Sequence, residues 1–257
     1  MPGLSGTRDH DSRRGRHVDC DLTHGCNGAH AGQDCLTCET RAFSVCAALA
    51  EEDLATLHAL ATPVRFAPKE TLLFQGQPAP TVYNITRGSV RLYTLLPDGR
   101  RQIIGFAMTG DFIGLSMQET AGFSADAIDA VEACAFTRTA YSALADSKPL
   151  LLRRLHDQTN HELMLAQEQM MLLGRRSAEE KIICFLLGIQ QRLARIGRPS
   201  ITVPLPMGRQ DMADFLGLTI ETVSRTLTRL ARDRTILLVP DGVRLLNRSH
   251  MAMVAAA

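Results

Sequence analysis

Regularly spaced glycines in the first half of the chain constrain its fold more than any other feature. Successive members lie 11 or 12 residues apart, and they are Gly76, Gly88, Gly99, Gly110 and Gly122. Residues 89–94, between two of them, alternate apolar and polar side chains, as a half-buried strand does. Because short strands with turns at this interval are typical of antiparallel β structure, the pattern predicts a sandwich or barrel.

Helical patterns lie on both sides of this region. Residues 49–60 have the leucine spacing of a short amphipathic helix, and residues 149–174 and 178–196 predict two longer helices. The first long helix carries a heptad stripe with alternating spacings of four and three: Thr159, Leu163, Ala166, Met170 and Leu173. The stripe predicts pairing with the same helix of a second copy, and the alternative is packing against its own β domain.

Residues 207–230 carry the most specific pattern in the chain. A first helix over residues 209–216 ends at Gly217, as the tight turn of a helix-turn-helix requires. Thr219 is placed to cap a second helix. A hairpin with a Pro-Asp-Gly turn follows over residues 236–245 and predicts a wing. The alternative is a generic helical hairpin with a charged outer face.

The outer face of the second helix offers groups that read DNA bases. Glutamate accepts a hydrogen bond from cytosine N4, arginine donates to guanine O6 and N7, and serine serves either role. A recognition helix presents its N-terminal residues to the major groove. The candidate DNA-binding residues are Arg209, Glu221, Ser224, Arg225 and Arg229.

The distribution of charge supports a phosphate-bearing partner for the C-terminal part. Residues 175–257 contain 13 Lys or Arg against 7 Asp or Glu, whereas the rest of the chain contains 15 against 20. A basic module joined to a mildly acidic one is typical of a protein that binds double-stranded DNA. Charge alone would equally fit a solvated, arginine-rich surface.

Cysteine usage indicates metal or redox chemistry. The chain begins with basic residues that no apolar stretch follows, so we expect a cytoplasmic protein with reduced thiols. Five of the seven cysteines fall in a short N-terminal segment: Cys20, Cys26, Cys35, Cys38 and Cys46. The last three have C-x2-C-x7-C spacing, which can present two thiolates to one metal centre and a third after a short loop.

Several interpretations of these thiols stay open at this point. The N-terminal group could hold an iron–sulfur centre, zinc with His24 or His30 as a further ligand, or no metal. Cys20 or Cys26 could replace one of the chosen ligands. Cys134 could be only a small buried hydrophobe of a strand, and Cys184, on an apolar helical face, is expected in the core.

The order of a glycine-punctuated β-roll, a long helix and a winged helix-turn-helix resembles the CRP/FNR regulators over about residues 45–250. Glu221, Ser224 and Arg225 form Glu-x-x-Ser-Arg, which is similar to the motif of the FNR branch. In the cyclic-AMP receptor branch an arginine precedes the glutamate, and glycine stands where this chain has Ser224.

The resemblance implies a cofactor, an operator and partners. In FNR regulators three N-terminal cysteines and one from the β-roll hold an oxygen-labile [4Fe–4S] cluster, which implies Cys35, Cys38, Cys46 and Cys134 here. The x7 spacing is that of some FNR-like members and departs from the shorter x5 form. The resemblance also implies a homodimer on inverted TTGAT-like half-sites, with RNA polymerase as a further partner.

The same comparison argues against a cyclic nucleotide as the signal. Nucleotide-binding relatives use a Gly-Glu-Leu step and an Arg-Ser/Thr pair, where this chain has Gly114-Leu115-Ser116 and Phe123-Ser124. Without the guanidinium, a buried phosphate charge would lack its partner.

Together these patterns predict an α+β regulator in four parts. They are a flexible N-terminus with the cysteine segment (1–47), a β-roll sensor (48–148), a dimerisation helix (149–175) and a winged helix-turn-helix (176–250). The chain shows no constellation that would carry a reaction and no apolar run that would cross a bilayer, so we expect neither an enzyme nor a membrane protein. The alternatives are a CRP/FNR-type factor sensing nitric oxide or redox state through haem or another ligand, a zinc-stapled DNA-binding protein without a sensor, and an iron–sulfur or zinc enzyme.

Overall fold

The computed structural model describes residues 35–114 and 119–256, which belong to one compact unit spanning Gln33–Ala257. The side chain of Arg175 is not part of this description. Several sequence-based predictions concern residues outside the described ranges: Cys20, His24, Cys26, His30, Leu115 and Ser116.

Two antiparallel four-stranded sheets form the N-terminal half of the described structure. Their strands are β1 (Thr62–Phe66), β2 (Thr71–Leu73), β3 (Thr81–Arg87), β4 (Ser89–Leu95), β5 (Arg101–Met108), β6 (Phe112–Ile113), β7 (Ser124–Ala127) and β8 (Val131–Thr137). One sheet has the order β1-β8-β3-β6 and the other β2-β7-β4-β5. Aliphatic side chains such as Ile85, Val90 and Val131 are fully buried between the sheets. The predicted sandwich is therefore confirmed.

Gly88 shows why one of the regularly spaced positions must be glycine. Its φ is +88°, in the region that residues with a Cβ rarely adopt. A Cβ at this position would lie 2.4 Å from the carbonyl oxygen of Ala130, which is far closer than van der Waals contact. The close approach lets β4 begin beside the loop before β8, where Ser89 N donates to Asp129 Oδ1 at 2.7 Å.

The described helices account for most of the remaining chain. They are α1 (Glu51–Leu60), α2 (Arg138–Ser147), α3 (Pro149–Arg175), α4 (Ala178–Arg195), α5 (Arg209–Leu216), α6 (Ile220–Arg232) and α7 (Arg248–Ala256). The first helix begins later than predicted, because Leu49 adopts an extended conformation after the short 3-10 helix Val45–Ala48. The sequence patterns did not predict α2 or α7. Among the described residues, no helix has the length and apolar content needed to cross a membrane.

The two ends of the long helix α3 contribute side chains to different hydrophobic cores. Leu151 and Leu155, near its N-terminal end, are buried with residues of α1, α2 and the 3-10 segment. Leu172, near its C-terminal end, is buried in the core of the C-terminal helices. The helix therefore packs against both halves of the described structure.

The C-terminal module is a winged helix-turn-helix. Helices α5 and α6 have the predicted position, and the predicted hairpin consists of β10 (Ile236–Val239) and β11 (Gly242–Leu245). A third strand, β9 (Thr202–Pro204), extends this sheet in the order β10-β11-β9. The α+β fold class predicted from the sequence is thus confirmed.

Three aromatic rings join the β-roll to the winged helix-turn-helix. Phe106 of β5 packs against Phe185 of α4 and Phe215 of α5, with ring centroids 6.1 and 5.3 Å away. Phe185 and Phe215 also contact each other, at 5.6 Å between centroids. Because each ring belongs to a different element, the trio fixes the position of α5 relative to β5.

Ion pairs surround this aromatic contact. The buried carboxylate of Asp211 in α5 accepts from Arg91 Nη1 at 3.1 Å and from Arg101 Nη2 at 2.7 Å. Arg101 also pairs with Asp214 at 2.8 Å, and Arg91 lies 3.6 Å from Asp126. Carboxylates from two elements thus neutralise both arginines, which come from strands β4 and β5.

We expect Asp211→Ala to lower the free energy of unfolding by about 2–3 kcal/mol. This is below the ~3–5 kcal/mol of a fully buried broken pair, because both arginines keep a second carboxylate. The control is Arg100→Ala, which removes an exposed pair with Asp98 and should leave the urea midpoint unchanged. Equal midpoints for the two variants would show that the Asp211 pairs do not stabilise the junction.

Candidate DNA-reading face and cysteine site

The turn between α5 and α6 has the geometry of a helix-turn-helix. Gly217 ends α5 with φ +61° and ψ +42°, a left-handed conformation that glycine adopts without steric penalty. Thr219 then caps α6, since its hydroxyl oxygen accepts from Thr222 N at 3.2 Å. Both predictions about this turn are confirmed.

One side of α6 is buried and the other is exposed. Val223, Leu227 and Leu230 are almost completely inaccessible. Glu221, Ser224 and Arg225 are exposed, and Ser224 and Arg225 lie one helical turn after Glu221. The backbone N–H of Glu221 and the Thr219 hydroxyl, with a smaller contribution from the charge of Arg225, lower the pKa of Glu221. The face therefore presents an ionised carboxylate, a hydroxyl and a guanidinium together.

Arg209 and Arg229 have different surroundings. Arg229 Nη2 lies 2.7 Å from Glu179 Oε2 of α4, so an ion pair within the protein holds its guanidinium. Arg209 is half-buried at the first residue of α5, and burial lowers its pKa. Their contact with DNA stays a prediction, and Arg229 would have to leave Glu179 to make one.

The heptad stripe of α3 lies on the exposed side of that helix. Leu163 is 57% exposed, Met170 69% and Leu173 39%, and Thr159 and Ala166 are also exposed. Apolar side chains at heptad spacing are rarely left in water unless a partner covers them. The β domain of the same chain therefore does not cover the stripe, and the alternative interpretation loses its support.

Three of the four predicted metal ligands lie around one core. Cys46 is buried in the hydrophobic core that includes Leu151 and Leu155 of α3, and Cys35 and Cys134 pack against the same core. Cys134 lies in β8, where it pairs in register with Asn84 of β3.

Polar groups that the sequence patterns did not predict contact three of the thiols. Cys35 Sγ lies 3.5 Å from His58 Nδ1, and Cys38 Sγ lies 3.1 Å from the hydroxyl of Thr40. Asn84 Nδ2 donates to Cys46 Sγ at 3.8 Å. Asn84 could have been identified from the sequence. Strand alternation places it on the buried side with Val82, where a polar residue is unusual.

Burial and negative charge on neighbouring cysteines raise the pKa of two of these thiols. Burial raises the pKa of Cys134 to about 12, and negative charge on Cys46, Cys38 and Cys35 contributes to the increase. Burial also raises the pKa of Cys46, with a further contribution from Cys38 and partial compensation by Ser44. The site thus disfavours several thiolates unless positive charge accompanies them.

The spacing of the thiols is wider than a single ion requires. Within residues 35–114 and 119–256, no three His, Cys, Asp or Glu side chains lie close enough together to share one metal ion. Structural zinc needs four ligands, with its thiolates about 2.3 Å from the metal.

Cys184 lies in another part of the molecule, on α4. It is half-buried, whereas the sequence placed it in the core. Arg176 Nη1 lies 2.7 Å from its sulfur and also donates to the carbonyl oxygen of Ala255, so α7 covers this side of α4. Cys184 packs against a different core from Cys35, Cys46 and Cys134.

Comparison with known proteins agrees with this architecture. A model described as "Cyclic nucleotide-binding domain" matches residues 63–148, and one described as "Bacterial regulatory proteins, crp family" matches residues 205–236. The first range covers the β-roll, and the second covers both helices of the helix-turn-helix.

Full-length relatives show the same relationship. The chain is 50% identical over 220 residues to "Transcriptional activatory protein AadR" of Rhodopseudomonas palustris, with 86% of this chain and 92% of that protein covered. It is 45% identical over 226 residues to "Nitrogen fixation regulation protein FixK" of Bradyrhizobium diazoefficiens, with 88% and 95% covered. The solved structure of FixK2 from Bradyrhizobium japonicum has a TM-score of 0.71 and 35% identity, and it covers 77% of this chain and 98% of that one. These relatives are regulators and not enzymes, and the chain belongs to the CRP/FNR family of DNA-binding transcription regulators.

Proposed function

We propose that this protein is an oxygen-responsive transcription activator of the cytoplasm. In this proposal a homodimer binds an inverted TTGAT-like operator while a [4Fe–4S] cluster is intact, and it acts on RNA polymerase. The observation that carries the proposal is that Cys35, Cys46 and Cys134 lie at one core, with Cys38 three residues from Cys35 in the same segment. The name of the Rhodopseudomonas palustris relative supports activation.

The residues at this core fit such a cluster. Four cysteine thiolates are the ligand set that [4Fe–4S] clusters take in proteins. Their burial and mutual repulsion disfavour the thiolates without a cation, and coordinated iron would remove that penalty. When bound, the cluster supplies a reaction with oxygen that ends in its loss.

Helix α3 offers a path from the cysteines to the dimer. The segment with Cys46 packs directly on Leu151 and Leu155, so a displaced segment withdraws support from the N-terminal end of α3. Coupling between two sites requires an element whose free energy both sites change. In this protein α3 meets that requirement, because its exposed stripe is also the proposed pairing surface.

The pairing surface is suited to an adjustable dimer. Thr159 and Ala166 add little apolar area to the stripe, so its pairing energy is modest and a coupling of about 1–3 kcal/mol can shift it. To bind both half-sites, the dimer must hold its two copies of α6 about 34 Å apart, the separation of successive major-groove half-sites. In each protomer, Glu221, Ser224 and Arg225 of α6 would then read one half-site in the major groove.

Removal of the arginine side chain in Arg225→Ala should weaken binding to the TTGAT-like operator by about 1–3 kcal/mol and relax the preference at one base pair. The control is Arg232→Ala at the C-terminal end of α6, which should weaken operator and random DNA alike. Both are measured by titration of labelled duplexes at fixed salt. Equal losses on operator and random DNA for Arg225→Ala would mean that this residue positions the helix without reading a base.

Protein purified without air should be straw-brown and contain iron and sulfide. Cys35→Ala, Cys38→Ala, Cys46→Ala and Cys134→Ala should each lose most of both, because each removes one of four ligands. The matched control, Cys184→Ala, should keep them, since Cys184 lies outside the site. Exposure of the wild type to air should bleach it and lower its operator affinity.

Other results of this experiment are equally decisive. A colourless protein with zinc, or a Soret band from haem, would exclude the cluster. Full iron and sulfide in Cys134→Ala would place all the ligands in the N-terminal segment. If air leaves the operator affinity unchanged, the proposal of oxygen sensing is wrong and only DNA binding remains.

Met170→Glu should shift the protein towards monomer, because it places a charge in the centre of an apolar seam. Met253→Glu is the matched control, since Met253 of α7 is 67% exposed, close to the 69% of Met170, and lies outside the stripe. Sedimentation velocity under anaerobic conditions measures the monomer fraction. If the monomer fraction of Met170→Glu is no higher than that of Met253→Glu, the interface lies elsewhere.

A further inference from the structure

The C-terminal end of α5 receives hydrogen bonds from two other elements. The last four carbonyl groups of a helix have no partner within that helix. At this end the backbone N–H groups of Gly217 and Leu218 both donate to the carbonyl oxygen of Ala213. The next two carbonyl oxygens, those of Asp214 and Phe215, accept from glutamine side chains of the β-roll and of α3. Other elements therefore hold the point from which the chain turns into α6.

The two glutamines come from distant parts of the chain. Gln102 Nε2 of β5 donates to the carbonyl oxygen of Asp214 at 2.7 Å and to that of Ile103 at 3.0 Å, as the two N–H groups of an amide allow. Gln169 Nε2 of α3 donates to the carbonyl oxygen of Phe215 at 2.8 Å. Both glutamines are half-buried, and so are Asp214 and Phe215, so water is partly excluded from both bonds.

An apolar contact from α3 reaches the same turn. A Cβ at Gly217 would lie only 3.2 Å from Leu173 Cδ2, so a methyl group of α3 packs on the turn glycine. At 39%, Leu173 is less exposed than Leu163 or Met170 of the heptad stripe, in agreement with this contact. Gln169 and Leu173 are four residues apart and therefore neighbours on the surface of α3. The helix thus contacts the turn through one hydrogen bond and one apolar side chain.

We propose that Gln102 and Gln169 are positioning residues for DNA reading, which hold the α5–α6 turn in the place from which α6 presents its exposed face. This inference rests on the proposed function, since its test uses the proposed operator. Neither glutamine is charged, so neither supplies the attraction to phosphate that is independent of sequence. Contacts with base edges require the side chains of α6 to be aligned with them. Loss of either glutamine should therefore affect the operator more than random DNA.

The test compares Gln169→Met and Gln102→Met with the wild type, each as the full-length chain purified without air. Methionine is also unbranched but has no donor, so each variant leaves one carbonyl oxygen without its partner. Two labelled duplexes are titrated at fixed salt, one with inverted TTGAT-like half-sites and one of random sequence. Operator affinity should fall about 2-fold to 10-fold, the factor that one net hydrogen bond represents, and affinity for random DNA should change less.

Gln190→Met is the matched control. Gln190 Nε2 of α4 donates to the carbonyl oxygen of Ser200 at 2.8 Å, the same kind of bond at the same length as that of Gln169. Its loss should lower the urea midpoint about as much as Gln169→Met does, because each removes one bond from a side-chain amide to a carbonyl group. The ratio of operator affinity to random-DNA affinity should stay at the wild-type value in Gln190→Met.

Hydrogen–deuterium exchange of the DNA-free protein measures the turn directly. Backbone amides of residues 214–222 should exchange faster in Gln169→Met and in Gln102→Met than in the wild type or in Gln190→Met. Exchange reports local opening, and a segment that has lost an anchoring bond opens more often. This measurement needs neither the operator nor a dimer.

The outcomes separate this inference from the proposed function. If the wild type prefers the operator but both variants keep its affinity ratio, or lose operator and random DNA equally, the glutamines do not position α6 and the inference is wrong. Wild-type exchange of the turn in both variants would also overturn it. If the wild type binds the two duplexes alike, the proposed operator is wrong, and the exchange measurement alone decides on the glutamines. If one variant does not fold, the other decides.

Discussion

The contact between β5 and α5 is the constraint on which the rest of this structure depends. An aromatic trio supplies its apolar centre, and the carboxylates of Asp211 and Asp214 neutralise the arginines around it. A rigid contact of this kind gives the DNA-reading helices a fixed position relative to the β-roll.

Helix α3 completes the connection, because its two ends are buried in different cores. The cysteine segment supports the N-terminal end, and the C-terminal helices hold the other. Between them the helix exposes most of the heptad stripe, with Leu163 and Met170 more than half exposed. The cysteine segment and the proposed pairing surface are thus parts of the same helical neighbourhood, since both involve α3.

Residues of the helix-turn-helix were predicted well because their rules are local. The Gly217 turn and the Thr219 cap depend on backbone conformation and on a partner three residues away. The roles of individual exposed side chains were less predictable. Nothing near Arg229 in the sequence indicates its ion pair, because Glu179 lies 50 residues earlier on another helix.

The sequence by itself determined several elements. They are the short strands between regularly spaced glycines, the long helix with heptad spacing, and the capped helix pair with its wing. Each follows from backbone conformation or from periodicity within one element, which neighbouring residues fix. Tertiary structure alone decided which elements meet. It joined Arg91 to Asp211 across 120 residues, and it brought Asn84 to Cys46 across 38. Such contacts depend on the packing of the whole chain. A buried polar group pairs with whatever group the folded core places beside it, which the neighbouring residues in the sequence do not specify.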